Sequence, residues 1–413
     1  MRVVDPVCCA AGNDLRSSRR WGFREARTIR LNAVLTGIFA GYLFIYLCHM
    51  PEYHFGDFIA IWAYAKVLFT HPVGDLYDNA VLHAAEVGFG MDPAGEAPFP
   101  YAPTVLLMLW PLGLLSLVAA YGAWIVVTLA LYICSIFTKG HAALAMATFA
   151  LVAPTTTINI VVGQSGFLLA ALLIGGLRLM DRRPILSGIL FGLLTYKPQF
   201  GILVPIALMA AGQWRCIAAA CVTTATLIVA SVAVFGGTIW LTWLRAFPAY
   251  AAWFDDRIIG QSGRSTLTAN LQSLGVAQEP ARLIQAIAVG LAAVLVWFCF
   301  RRLPRALAIP ALLVATCLAT PHAFLYDLPM VTGAALLFVA YRLRSDMPFS
   351  LPEIGVLILV LIFPAIMAQS TTHVPISTVV LSLFEMLILS TGERQRTIST
   401  SAPLEMTALQ VGI

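Results

Sequence analysis

The chain alternates long apolar runs with short polar breaks. A first run extends from Leu31 to about Met50, and a polar interval follows to residue 103. Apolar runs then fall at 104–118, 120–138, 142–160, 165–180, 184–196, 199–212 and 215–235. After a second polar interval, 236–282, others fit 283–300, 306–320, 328–343, 351–368 and 374–391. A straight transmembrane helix needs about 20 apolar residues. Several runs are shorter than that, and Pro154, Pro184, Pro198 and Pro205 interrupt them. Broken apolar helices are tolerated where irregular backbone lines a cavity enclosed by protein. The stretch 104–212 is therefore expected to build one. Within the first polar interval, an amphipathic helix is expected from about Asp57 to Thr70, with Ile61, Ala65 and Leu68 on one side, lying along the membrane surface. A second short helix is expected near Asn79–Val87.

Composition agrees with this pattern. Of 413 residues 60% are hydrophobic and 11% charged, against about 25% charged in soluble domains. The expected architecture is an all-α polytopic membrane protein, a single bundle of about ten to twelve transmembrane helices spanning 31–391. Residues 51–103 and 236–282 form outer loops in this reading. The formal charge of +5 comes largely from Arg between apolar runs, which is topological information and not a nucleic-acid footprint. Arg16, Arg19, Arg20, Arg24, Arg27 and Arg30 precede the first run and place residues 1–30 in the cytoplasm. Arg301-Arg302, Arg342/Arg344 and Arg394/Arg396 mark further cytoplasmic ends, so both termini are expected inside, in a multi-pass cell-membrane protein, with 392–413 a disordered tail. The N-terminal segment has no apolar core of the signal-peptide kind, and the first run is expected to act as an uncleaved start. The eight cysteines show no C-x-x-C spacing and fit small core hydrophobes better than a disulfide frame.

Candidate chemistry gathers in the polar intervals. Asp57 sits in His54-Phe55-Gly56-Asp57-Phe58, just beyond the first run, where partial desolvation raises a carboxyl toward a useful general base. The competing reading is a helix N-cap, which on residue type alone leads. Trp62 and Tyr64 would be platforms for a sugar or lipid, or else part of an interfacial aromatic belt. Lys197, one of three lysines, stands between two short apolar helices and would hold a lipid phosphate or snorkel to the interface. His322, with Tyr326 and Asp327 close behind, would bind phosphate or orient an acceptor, or be an ordinary interfacial histidine. Arg257 and Arg264 are candidate phosphate clamps in a loop that also carries Asn270 and Gln272. Gln164, in Gly163-Gln164-Ser165, opens a helix whose amides suit an anion or sugar. No metal-ligand spacing, Ser-His-Asp elbow or phosphate-binding glycine loop occurs, so neither a metal, a cofactor nor a nucleotide substrate is expected.

In order and spacing these landmarks resemble glycosyltransferase family 87, the polytopic polyprenyl-phosphate-mannose-dependent enzymes of the GT-C superfamily. The resemblance runs over about 35–345. It is carried by Gly56-Asp57-Phe58 with Trp62, Leu76-Tyr77-Asp78, Tyr101-Ala102-Pro103, Gly163-Gln164, Gly188 through Gly192, Lys197-Pro198, Asn270-x-Gln272-Ser273-Leu274 and Pro321-His322. It implies transfer of a hexose, often mannose, from a polyprenyl phosphate donor to a lipid or glycan acceptor at the outer face, with inversion. The general base then falls on Asp57 and the late histidine on His322. Tyr101-Ala102-Pro103 replaces a Tyr-Pro-Pro, Ser165-Gly166 stands where an Asn is usual, and Leu271 splits an Asn-Gln-Ser. The rival readings are a secondary transporter or lipid-linked sugar flippase, and a non-catalytic assembly partner.

Overall fold

The computed structural model describes Gly37, Gly41 and residues 55–137, 142–258, 263–345, 347–370 and 374–401; at 142–143, 254–258 and 398–401 it describes the backbone alone. The basic N-terminal segment, the rest of the first apolar run, His54 and 402–413 lie outside the described residues. Among those described, the secondary structure is helical, and the one β-bridge pairs Arg264 with Phe324.

The first polar interval holds α1 (Phe58–Thr70) and α2 (Asn79–Gly88). Then come α3 (Leu106–Gly113), α4 (Leu117–Ile136), α5 (Ala142–Val152), α6 (Pro154–Val162), α7 (Gly166–Leu179), α8 (Pro184–Gly192), α9 (Val204–Ala210) and α10 (Trp214–Phe235). The second polar interval contains α11 (Thr238–Ile258) and α12 (Leu267–Ser273), and the chain ends with α13 (Gln278–Arg302), α14 (Arg305–Ala319), α15 (Pro329–Arg344), α16 (Leu351–Gln369) and α17 (Ser377–Ser401). Pro154, Pro184 and Pro329 each open a helix, where their missing N–H has no helical partner to lose.

Among the described residues, four helices are long and apolar enough to cross a membrane: α4, α10, α13 and α16, with mean hydropathies of 2.1, 2.2, 2.4 and 2.4. Two stretches bent by 51°, Leu144–Val152 and Pro154–Val162, count as a fifth if they form one broken span. On α10 only 6% of the apolar window is buried. A helix that apolar and that unburied needs lipid around it, and the chain is a multi-pass membrane protein. The remaining apolar runs form shorter helices. The fifteen residues of α14 reach about 22 Å, less than the ~30 Å hydrocarbon core. Both α14 and α7 are buried almost all round, so the centre of the bundle is built from short helices.

Three elements differ from expectation. Helix α1 is buried on every face, from Phe58 through Val67, and packs on α3, where a Cβ on Gly113 would meet the Ala65 carbonyl at 2.4 Å. Its sequence has almost no polar face to offer to water, so it sinks into the fold. Residues 238–258 form a helix where a polar loop was expected. Helix α17 continues to Ser401, past the expected end at 391.

Helix α8 lies against α10 through Gly188 and Gly192, whose added Cβ atoms would collide with Cys216 O and Thr223 Cβ, the small-residue packing usual between membrane helices. At one end of the bundle Glu353 Oε2 pairs with Arg342 at 3.1 Å and Oε1 with Arg394 at 2.9 Å. The basic ends of α15 and α17 therefore share one side.

Candidate active site

Two left-handed residues, Phe55 (φ 63) and Gly56 (φ 49), turn the chain into α1. A Cβ on Gly56 would stand 2.6 Å from Val162 O, and one on Gly163 would stand 2.5 Å from Phe58 Cβ. Glycine on both strands of this crossing is what allows residues 55–58 to touch the end of α6. The crossing brings Asp57 to Gln164, whose Nε2 donates to Asp57 Oδ2 at 3.1 Å. Although Asp57 occupies the N-cap position of α1, its side chain caps no helix N–H. The capping reading is therefore not how the carboxylate is used.

Water reaches Asp57, yet protein surrounds it closely enough that burial raises its carboxyl above the ordinary range, with the Gln164 hydrogen bond and the charge of Lys197 pulling the other way. A side chain both accessible and hemmed in lines a concavity. Removing the Gln164 amide, which favours the charged form, is expected to raise the Asp57 pKa further. In Gln164→Ala the acid limb of the pH–rate profile then moves to higher pH; a limb that stays in place or moves down contradicts the contact.

Lys197 stands between two 3-10 turns, Leu193–Tyr196 and Pro198–Phe200. It is 6% exposed, and its Nζ meets Asp327 Oδ1 at 2.6 Å and lies 5.1 Å from the ring centre of Tyr326. Asp327 Oδ2 in turn accepts from the Phe324 N–H at 3.1 Å. The turn carrying these residues is docked twice. Asn159 Nδ2 donates to Tyr326 O, and the backbone of 263–265 pairs with 323–325 through Ser265 N–H to Ala323 O at 3.0 Å and Leu325 N–H to Gly263 O at 2.9 Å. Gly166 makes the first docking possible, because a Cβ there would fall 1.7 Å from Tyr326 O. Gly166→Ala is expected to cost about 1–3 kcal/mol by overpacking, read as a lower melting temperature with weaker transfer; an unchanged melting temperature would refute the close approach.

The ends of α6, α8 and α14, together with the starts of α1 and α7, thus converge on one polar recess inside an apolar bundle. Among the described residues, no set of three or more His, Cys, Asp or Glu side chains could hold a metal ion.

The sequence model of glycosyltransferase family 87 matches residues 99–321, more than half of the chain. The chain belongs to glycosyltransferase family 87. No curated protein and no solved structure matches it. Gln164, Lys197, Arg264, Asn270 and Gln272 fall inside the matched region of this membrane glycosyltransferase, whereas Asp57, His322 and Asp327 fall outside it.

The family member's other candidate residues divide by what they touch. Tyr101 lies near enough to Asp57 and Asp327 for their charges to act on it, although burial is the main cause of its raised pKa. His322 is exposed on the docked turn, two residues from the backbone that pairs with Arg264. Arg264 is 8% exposed and reaches Gln272 Oε1 at 3.4 Å. Trp62 and Tyr64 are buried in the core: Trp62 Nε1 donates to Leu115 O at 3.0 Å and Tyr64 Oη to Ala97 O at 2.8 Å. Their polar atoms hold neighbouring loops. Asn270 bonds Ser377 at 2.9 Å and Thr378 at 2.6 Å, which ties α12 to α17. The Arg257 side chain lies outside the described residues.

One residue near the recess escaped sequence reasoning. Tyr250 on α11 sits where its charge would act on Tyr101 and Tyr326. The signal was present: Trp243, Phe247, Tyr250 and Trp253 recur at helical spacing, and each ring meets the next.

Proposed function

We propose that this glycosyltransferase moves a hexose, with mannose the first candidate, from a polyprenyl phosphate to a hydroxyl of a lipid or glycan acceptor at the outer face of a cell membrane. Asp57 takes the proton of the acceptor hydroxyl as that oxygen bonds to the anomeric carbon. The bond from that carbon to the phosphate oxygen breaks, and polyprenyl phosphate departs with the electron pair. Phosphate is already a good leaving group, so no dedicated acid is required. Lys197 steadies the charge that develops on it, and His322 and Arg264, on adjoining paired segments, are the further groups for phosphate or acceptor. One base with cationic help suits a single displacement, which inverts the anomeric centre.

The observation that carries this reading is the orientation of Asp57, turned from the helix it precedes toward Gln164 and within the field of Lys197. Both termini are cytoplasmic in this reading, and the donor lipid supplies the only activated group. The test is transfer by purified protein in lipid nanodiscs, offered polyprenyl-phosphate-mannose or polyprenyl-phosphate-glucose with extracted membrane lipids as acceptors. Sugar is expected to leave the mannose donor faster and to reach the product with inverted configuration by NMR. Loss from neither donor would refute the donor class, and retained configuration would refute the single displacement.

A further inference from the structure

Apart from the recess at Asp57, a cavity of about 170 Å³ lies between α2 and the segment 96–98, lined by Asn79, His83, Glu86, Glu96 and Pro98 among others. Glu86 is 1% exposed, and its carboxyl accepts from the Ala97 N–H, while Oε1 has no protein partner. Nδ1 of His83 is likewise buried without one. Buried polar atoms are normally bonded, and two unbonded ones lining a shared cavity point to a ligand that bonds them. Glu96 accepts from Trp253 Nε1 at 2.8 Å, and Trp253 stacks on Tyr250 with ring centres 6.3 Å apart. The aromatic stripe of α11 therefore reaches Glu96.

We infer that this cavity is a sugar-binding subsite that takes one hexose unit of the acceptor, with Glu86, His83 and Glu96 on its hydroxyls. Its volume equals that of about six waters at ~30 Å³ each, room for one pyranose ring. Burial, reinforced by the neighbouring Glu96 and opposed by the Ala97 amide, pushes the Glu86 carboxyl up to about 8. At neutral pH Glu86 thus offers a protonated acid, which can donate as well as accept and suits neutral hydroxyls better than an ammonium ion. The charges of Glu86 and of Asp57 both act on Tyr64, so the cavity and the candidate base flank the same side chain. The inference rests on the proposed function only for the source of the sugar, a glycan acceptor.

The test is isothermal titration of the full chain in nanodiscs with methyl α-mannopyranoside, methyl α-glucopyranoside and methylammonium. One hexoside is expected to bind the native protein and Asp57→Asn alike. Glu86→Leu, which fills the space without a polar atom, is expected to weaken it at least tenfold, and the surface change Glu96→Ala several-fold. The inference is overturned if neither hexoside binds, if methylammonium binds in their place, or if both variants stay within twofold of the native affinity. Hexoside binding that survives a failed donor assay would leave the subsite standing and remove the proposed function alone.

Discussion

Lys197→Ala is expected to lower the unfolding free energy by about 3–5 kcal/mol, because it strands the buried carboxylate of Asp327, and to weaken donor binding at the same time. The single substitution mixes two effects, and a double one separates them. Replacing a buried ion pair by apolar side chains of similar size is often neutral or stabilising. Lys197→Met with Asp327→Leu is therefore expected to regain most of the melting temperature lost in Lys197→Ala while transfer stays at the level of the single variant. Thermal unfolding and transfer rate, measured on the same preparations, read the two quantities. A double variant that recovers both would make the pair a structural brace and take the lysine out of the chemistry.

Most of the bundle was legible in the chain because apolar runs and prolines act locally. The breaks at Pro154 and Pro184 fall where α6 and α8 begin, and nearly every expected run became a helix. Length was less legible. The number of full crossings depends on how short the central helices are, and α7 and α14 are short helices covered by their neighbours, which no local pattern announces. From sequence Trp62 and Tyr64 fit a platform for a sugar or lipid, or an interfacial belt, because aromatics beside a carboxylate at a membrane edge are commonly one or the other. The better clue was the absence of a polar face over 58–65, which requires burial. The contact between Asp57 and Gln164 joins residues 107 apart and depends on Gly56 and Gly163 giving way to each other's chain. A glycine beside Asp57 permits a close approach without saying to what. Glu86 gave no signal, since an acid in a short polar helix looks like any solvated one.

Asp57→Asn bears on the centre of the account. A positioned general base contributes about 10²–10⁴-fold to rate, and Asn keeps the shape of the carboxylate while losing its basicity. The fold should not suffer, because burial already disfavours the charged form of Asp57, and a neutral amide removes that cost. The sign of the pH effect follows. With its pKa raised, the native Asp57 is ionised and active above that pKa and is lost as base as pH falls through it, starting at higher pH than the ~3.9 of an ordinary aspartate. The acid limb should be absent from any residual activity of the variant. The decisive measurement is the single-turnover rate of sugar transfer from donor-saturated Asp57→Asn beside the native enzyme, with donor affinity determined on the same nanodiscs. A rate at least a hundredfold lower with donor affinity and melting temperature unchanged is the predicted result; transfer within a few-fold of native would contradict Asp57 as the base.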